Sequence, residues 1–144
     1  SLDLPSWVGR RWSFYEPELT MTWLSTLPEG SNRDKGVEDT FIAWFRRDRE
    51  SALDWASQQD LEAEWFQPAL SHYARRLALT DINQGIELAG YVHHPEYRLM
   101  TVGRIVRTWL MHDPLEARKW LKNSDLTIEE RARVLGQRVE TPAQ

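Results

Sequence analysis

Asp113-Pro114-Leu115-Glu116-Ala117-Arg118-Lys119-Trp120-Leu121 carries the pattern that decides the fold. An acidic residue precedes a proline. A small residue stands three positions after the proline, and an aromatic–aliphatic pair begins three after that. Glu16-Pro17 leads to Trp23-Leu24 at the same spacing, Asp48-Arg49 to Trp55-Ala56, and Asp81-Ile82 to Leu88-Ala89. The second residues of the four opening pairs fall at 17, 49, 82 and 114, a period of 32, 33 and 32. Trp12, Trp44, Leu77 and Trp109 lie five residues earlier. Thr20, Ala52, Gly85 and Ala117, all small, lie three residues later. Columns that hold one register over four copies mark a tandem repeat of about 33 residues.

Each copy reads as two helices. Val37, Phe41, Trp44 and Phe45 in one copy recur at i, i+3/4 and i+7, the period of an amphipathic helix. Leu70, Tyr73, Leu77 and Ala78 repeat it, as do Val102, Ile105, Val106, Trp109 and Leu110. The acidic residue (Glu16, Asp48, Asp81 or Asp113) is placed to cap the second, shorter helix, whose free N–H groups and positive end both favour a carboxylate. Pro17 and Pro114 suit the first helical position, where no N–H is needed. Breakers then follow at Pro28-Glu29-Gly30, Ser57-Gln58-Gln59, His93-His94-Pro95 and Asn123-Ser124-Asp125. Pro68 predicts the start of the third long helix, with 61–66 as a separate turn. Thr127 with Glu130 forms a capping box that opens a last helix over about 128–138.

One hairpin cannot bury its apolar face alone, and stacking makes a continuous core. The expected fold is therefore all-α, a short α–α superhelical solenoid of helical hairpins; the rival is a closed helical bundle. The divisions are 1–32 (a partial first copy), 33–65, 66–97, 98–126, and 127–144 for the final helix and tail.

The helical hairpin of this length, with small and aromatic residues at fixed places, resembles the tetratricopeptide and Sel1-like superfamily. The Trp-x3-Asp-Pro-x5-Trp run from Trp109 to Trp120 looks most like the Asp-Pro-x2-Ala-x2-Trp repeats of bacterial proteins. Leu27-Pro28-Glu29-Gly30-Ser31-Asn32-Arg33-Asp34, leading to Ser51-Ala52-Leu53-Asp54-Trp55-Ala56, is similar as well. The tetratricopeptide Trp-Leu-Gly-Tyr order is absent. The resemblance implies a bacterial repeat scaffold and brings no catalytic residues with it.

Composition narrows the function. Hydrophobic residues are 41% and charged residues 28%, a globular balance that supports a packed core. The net charge of −4 argues against a nucleic-acid binder. With no Cys there is neither a disulfide nor a thiolate ligand or nucleophile. No apolar run of about 18 residues predicts a membrane span. The opening Ser1-Leu2-Asp3-Leu4 reads as a fragment or a processed form. No nucleophile elbow, phosphate loop, His-Glu-x-x-His or dinucleotide fingerprint occurs, so a noncatalytic role is expected.

The candidate binding surface is a basic arc on the long helices. With the apolar stripe set inward, the opposite side holds Arg10, Arg11, Arg46, Arg47, Arg75, Arg76, Arg104 and Arg107, eight of the eighteen basic residues. Stacked guanidinium groups suit carboxylates or phosphates; the competing explanation is that cations complement the C-terminal end of a helix. The partner-binding set is Arg10, Arg46, Arg75, Arg104 and Arg107, with Trp65 as an aromatic anchor exposed on an irregular loop. Trp12, Trp23, Trp44, Trp55, Trp109 and Trp120, at repeat positions, are expected to pack in the core; Trp7 falls outside these columns. Arg33 and Arg98 fall at equivalent positions ahead of the long helices, with Phe66 between, and are expected to make a structural contact to a neighbouring copy's carbonyls. His93-His94-Pro95-Glu96 is the most metal-like cluster. Adjacent histidines on a turn converge poorly on one ion, however, and His72 and His112 lie in other copies, so neither metal nor cofactor is expected.

The function so read is a scaffold that binds a protein or peptide partner through its basic face. Alternatives are an accessory domain of a larger enzyme, or nucleic-acid or polyanion binding, although the acidic whole makes a nucleic-acid partner the less expected one. Solenoid ends need polar caps, so self-association is open to the chain, with the N-terminal half copy the stickier end.

Overall fold

The computed structural model describes residues 16–136. These residues are all-helical, with no strand among them: α1 (Pro17–Ser25), α2 (Ser31–Arg47), α3 (Arg49–Ser57), a 3₁₀ turn (Glu64–Phe66), α4 (Gln67–Ala78), α5 (Ile82–Ala89), α6 (Pro95–His112), α7 (Pro114–Asn123) and α8 (Ile128–Val134). None of the described helices is long and apolar enough to cross a membrane.

The short helices α1, α3, α5 and α7 begin at the four predicted positions. Each follows one backbone corner. Glu16, Asp48, Asp81 and Asp113 have φ of −144°, −146°, −146° and −148°, with ψ between 73° and 98°. The three aspartates cap as expected, accepting from the backbone N–H of Ser51, Gln84 and Glu116 at 3.2, 3.2 and 3.3 Å. Glu16 does not: it adopts the corner, but its side chain makes no cap hydrogen bond. One extra methylene carries the carboxylate past the N–H groups that a shorter acid reaches. The capping box opening α8 is present, with Thr127 and Glu130 bonded reciprocally at 3.1 and 3.0 Å. That helix ends at Val134, short of the expected span: Leu135 and Gly136 (φ 72°) form a turn, and 137–138 lie outside the described residues.

Packing follows the columns. Thr20, Ala52, Gly85 and Ala117 are all buried. At Gly85 the approach is closest, for an added Cβ would stand 2.3 Å from Cβ and 2.5 Å from Cα of Ala78 on α4. The tryptophans pair within a copy: Trp44 with Trp55 at 5.3 Å and Trp109 with Trp120 at 6.3 Å between ring centroids. Trp7 and Trp12 lie outside the described residues. The long helices pack in chain order, α2 on α4 and α4 on α6, and α6 packs on α8; α3, α5 and α7 each lie against the long helix before them, and α1 lies against α2. One core cluster centres on Met21, Phe41, Trp44, Phe66 and Leu70, a second on Val102, Ile105, Val106, Leu121 and Val134. Leu88 packs against both.

The buried Arg33 and the half-buried Arg98 correct the sequence reading in two ways. They stand inside the first turns of α2 and α6 rather than ahead of them. Their partners are carboxylates, not carbonyls: Arg33 bonds Asp34 and Glu64, and Arg98 bonds Glu130 at 2.7 Å. Each arginine thus ties one long helix to the turn or helix 31 or 32 residues on. A fork of donors at a helix start pairs better with a side-chain carboxylate than with carbonyls already used in helix bonds. The fully buried Phe66 fills the equivalent place in the copy between.

Gln67, also fully buried, joins two loops. Its Nε2 donates to the carbonyls of Leu61 and Tyr91, and its Oε1 accepts from the N–H groups of His93 and His94. Pro68 is accordingly the second residue of α4 rather than its first, and the 3₁₀ turn is the separate turn expected there.

Candidate functional site: an arginine cleft and an acidic cleft

The arginines of the long helices do not all share one arc. Arg75, Arg76 and Arg104 meet in a cleft of about 190 Å³ between α4 and α6, lined also by Leu79, Ile82 and Ile105. Arg75 and Arg76 are partly buried rather than turned outward, because the next long helix packs on their side too. Long arginine stems cover apolar surface while their heads stay polar. The Arg76 guanidinium lies 5.2 Å from the Phe45 ring centroid, and Arg49 stands at the same distance from that ring. Arg75 donates through Nε to the Ser71 carbonyl at 3.3 Å.

No carboxylate of the described residues forms an ion pair with Arg75, Arg76 or Arg104. Arg76 Nε is buried without an acceptor. Burial, and then the neighbouring Arg104, lowers the Arg75 pKa; Glu38 opposes the shift and Arg76 adds to it. Crowding that lowers a guanidinium's pKa still leaves it charged at neutral pH. Helix-end electrostatics accounts for Arg75 and Arg76 in the last turn of α4, but Arg104 is in the middle of α6.

The field of this cluster shows at His72. Burial, followed by Arg75, Arg76 and Arg46, pulls its pKa down to about 4. The ring packs edge-on against Phe41 and Phe45 at 5.9 and 5.6 Å. His72 is therefore a neutral wall of the positive region. Arg46 is exposed at the end of α2 and joins the region through its charge. Arg107 is exposed but stands apart, its guanidinium folded back within 3.2 Å of the place a Cβ on Gly103 would take. Arg10 and Arg11 lie outside the described residues. Trp65 is in the 3₁₀ turn and partly buried, with Trp55 at 6.3 Å and Phe66 at 5.6 Å, so the exposed loop position expected for it is not what the fold provides. An aromatic beside Phe66 is drawn onto the same core.

A second, opposite cleft lies at the N-terminal turns of α2 and α6, lined by Asp34, Lys35, Glu38, Glu96 and Tyr97 among others. Helix α4 has 12 residues against 17 and 18 in its neighbours, so the first turns of α2 and α6 meet beside its start. Burial, then Asp34, Glu38, Glu96 and Glu64 in that order, pushes the Tyr97 hydroxyl up to about 12. Single ligand atoms of Asp34, His94 and Glu96 all lie within 4.8 Å of one another. Of the adjacent histidines only His94 takes part, because His93 turns its Nε2 to the Glu62 carbonyl at 3.1 Å. The sequence pattern singled out His94 and Glu96 but missed Asp34, about 60 residues away, which nothing in local spacing connects to them.

The chain matches no known protein-family model, no curated protein and no solved structure.

Proposed function

We propose that this chain is a noncatalytic scaffold, a short α–α superhelical stack of tetratricopeptide-like hairpins, that binds an acidic segment of a protein partner in the arginine cleft. The architecture is supported by four equal corners at intervals of 32, 33 and 32, by the Trp pairs within copies, and by the arginine ties from α2 to the 3₁₀ turn and from α6 to α8. The binding reading rests on one observation: Arg75, Arg76 and Arg104, from two adjacent helices, crowd together with no ion-pairing carboxylate among the described residues. A bound carboxylate relieves their repulsion and accepts from several forks at once. The apolar lining of Leu79, Ile82 and Ile105 adds a seat for an aliphatic side chain beside that carboxylate.

A phosphate backbone offers similar chemistry, but Glu38, which acts on both Arg75 and Tyr97, interrupts the positive track that a long polyanion needs. The same cleft would serve an accessory domain that holds an enzyme's acidic tail, which is the same binding chemistry in a larger assembly.

The test is a fluorescence-anisotropy titration with a labelled peptide alternating Glu and Leu. The double variant Arg75→Glu, Arg104→Glu is expected to bind at least about tenfold more weakly, since losing charge-assisted hydrogen bonds costs about 1.5–3 kcal/mol each. Added salt is expected to weaken parent binding. Equal affinity in parent and variant, with matched thermal stability, rules out the cleft; tighter binding of a single-stranded oligonucleotide than of the peptide favours the polyanion reading.

A further inference from the structure

We propose that Asp34, His94 and Glu96 form a site for a divalent transition-metal ion of the Zn²⁺ type, in the cleft where the first turns of α2 and α6 meet. The inference does not rest on the arginine cleft. One imidazole and two carboxylates are a donor set suited to Zn²⁺, whereas Ca²⁺ and Mg²⁺ take oxygen alone. The three ligands come from separate parts of the chain, Asp34 from α2 and the other two from the start of α6, so more than local sequence brings them together.

The three ligands differ in freedom. Asp34 is 8% exposed, and Arg33 holds its Oδ1 at 3.2 Å, which leaves the second oxygen for an ion. A carboxylate held in this way is oriented before the ion arrives. His94 caps α6 and lies 5.1 Å from the Tyr97 ring. Glu96 is exposed and forms the movable arm. Tetrahedral Zn²⁺ with bonds of about 2.0–2.2 Å needs its ligand atoms roughly 3.3 Å apart. The ligand atoms lie within 4.8 Å of one another, so an ion draws them closer, and the exposed Glu96 is the arm freest to move. Water or Glu38, which lines the same cleft, completes the shell.

Charge favours a cation independently of ligand spacing. Asp34, Glu38 and Glu96 line this cleft, and Glu64 joins Asp34 through Arg33. Arg33 answers two of these carboxylates, and Lys35 is turned to Asp39 at 3.3 Å. A dication offsets the remaining excess.

Binding also has a signature in proton positions. His94 Nδ1 now accepts from the Glu96 N–H at 3.3 Å. If the ion takes Nδ1, that lone pair is used. If it takes Nε2, the ring proton moves to Nδ1, which then cannot accept. In both cases the Glu96 amide loses its acceptor.

The test is calorimetric titration of the chain with Zn²⁺, with Co²⁺ absorption as a second probe and the Glu96 amide followed by NMR. One equivalent is expected, together with a shifted Glu96 amide. Glu96→Gln, an exposed change, and His94→Asn, which keeps a capping oxygen, are each expected to weaken binding at least about tenfold. His93→Ala is expected to bind like the parent. The proposal fails if the parent takes up no Zn²⁺ in large molar excess, if His94→Asn binds as tightly as the parent, or if His93→Ala loses as much affinity as His94→Asn.

Discussion

His72 illustrates how one residue reports its surroundings. Burial and three arginines hold its pKa near 4, against an ordinary value of 6.5. A base whose pKa is lowered by folding binds its proton more readily when unfolded, so stability rises with pH between the two values. Above pH 6.5 the ring is neutral in both states and contributes no pH dependence. As pH falls from 6.5 towards 4 the unfolded chain takes up a proton that the folded ring refuses, and stability is lost. Discounted for the part of the ring that water screens, the loss is on the order of 1–2 kcal/mol. Thermal melts of the parent and His72→Gln, compared at pH 7 and pH 4.5, test this. The parent is expected to lose more stability than the variant on acidification, and parallel losses refute the assignment. The sequence showed a histidine on a long helix near arginines; it did not show that Phe41 and Phe45 enclose the ring from α2, because that contact lies in the packing of two copies.

At the scale of the element, the small column carries the tightest constraint. Glycine inside a helix ordinarily costs about 1 kcal/mol relative to alanine, so an exposed Gly→Ala change stabilises. At Gly85 the sign reverses. An added methyl meets Cα and N of Ala78 at 2.5 and 2.7 Å, and backbone atoms cannot turn aside as a flexible side chain can. Gly85→Ala is therefore expected to cost about 1–3 kcal/mol, because overpacking forces α4 and α5 apart. Denaturant midpoints settle the sign, and a more stable variant would refute the close approach. This column was legible from sequence, as were the four corners and the capping box, because each depends on residues within one copy. Glu16 shows the limit of such reading: an acid at the right place has the corner without the cap bond. The arginines show a second limit. A helical period separates apolar from polar faces, but it does not tell which polar residues the next long helix will half-bury, and so it spread over one arc what packing gathers into a cleft at Arg75, Arg76 and Arg104. Asp34 beside His94 is the third case, since its neighbours are set by the shortness of α4 rather than by any motif.

Among the described residues each long helix packs on the next, and the buried apolar side chains fall into two core clusters. Leu88 is a partly buried residue of α5 that packs against both. Cooperativity between two clusters depends on the energy of their junction relative to the clusters it joins. Cutting Leu88 back to Ala removes about 2 kcal/mol or more at the junction itself. The two sides carry their own reporters: Trp44, Trp55 and Trp65 belong to the first cluster, while Trp120 packs on the second and touches Trp109. In the parent, helix content and tryptophan emission are expected to fall together in urea as a single transition. In Leu88→Ala the second cluster is expected to unfold first, since it lacks the large aromatic centre of Phe41, Trp44 and Phe66. Its signals then separate: helix content falls early, and most of the tryptophan emission changes later. A variant that unfolds at lower urea but keeps both probes coincident, with an unchanged denaturant slope, shows instead that the arginine ties and the helix packing of α4 on α6 suffice to keep the two clusters one cooperative unit.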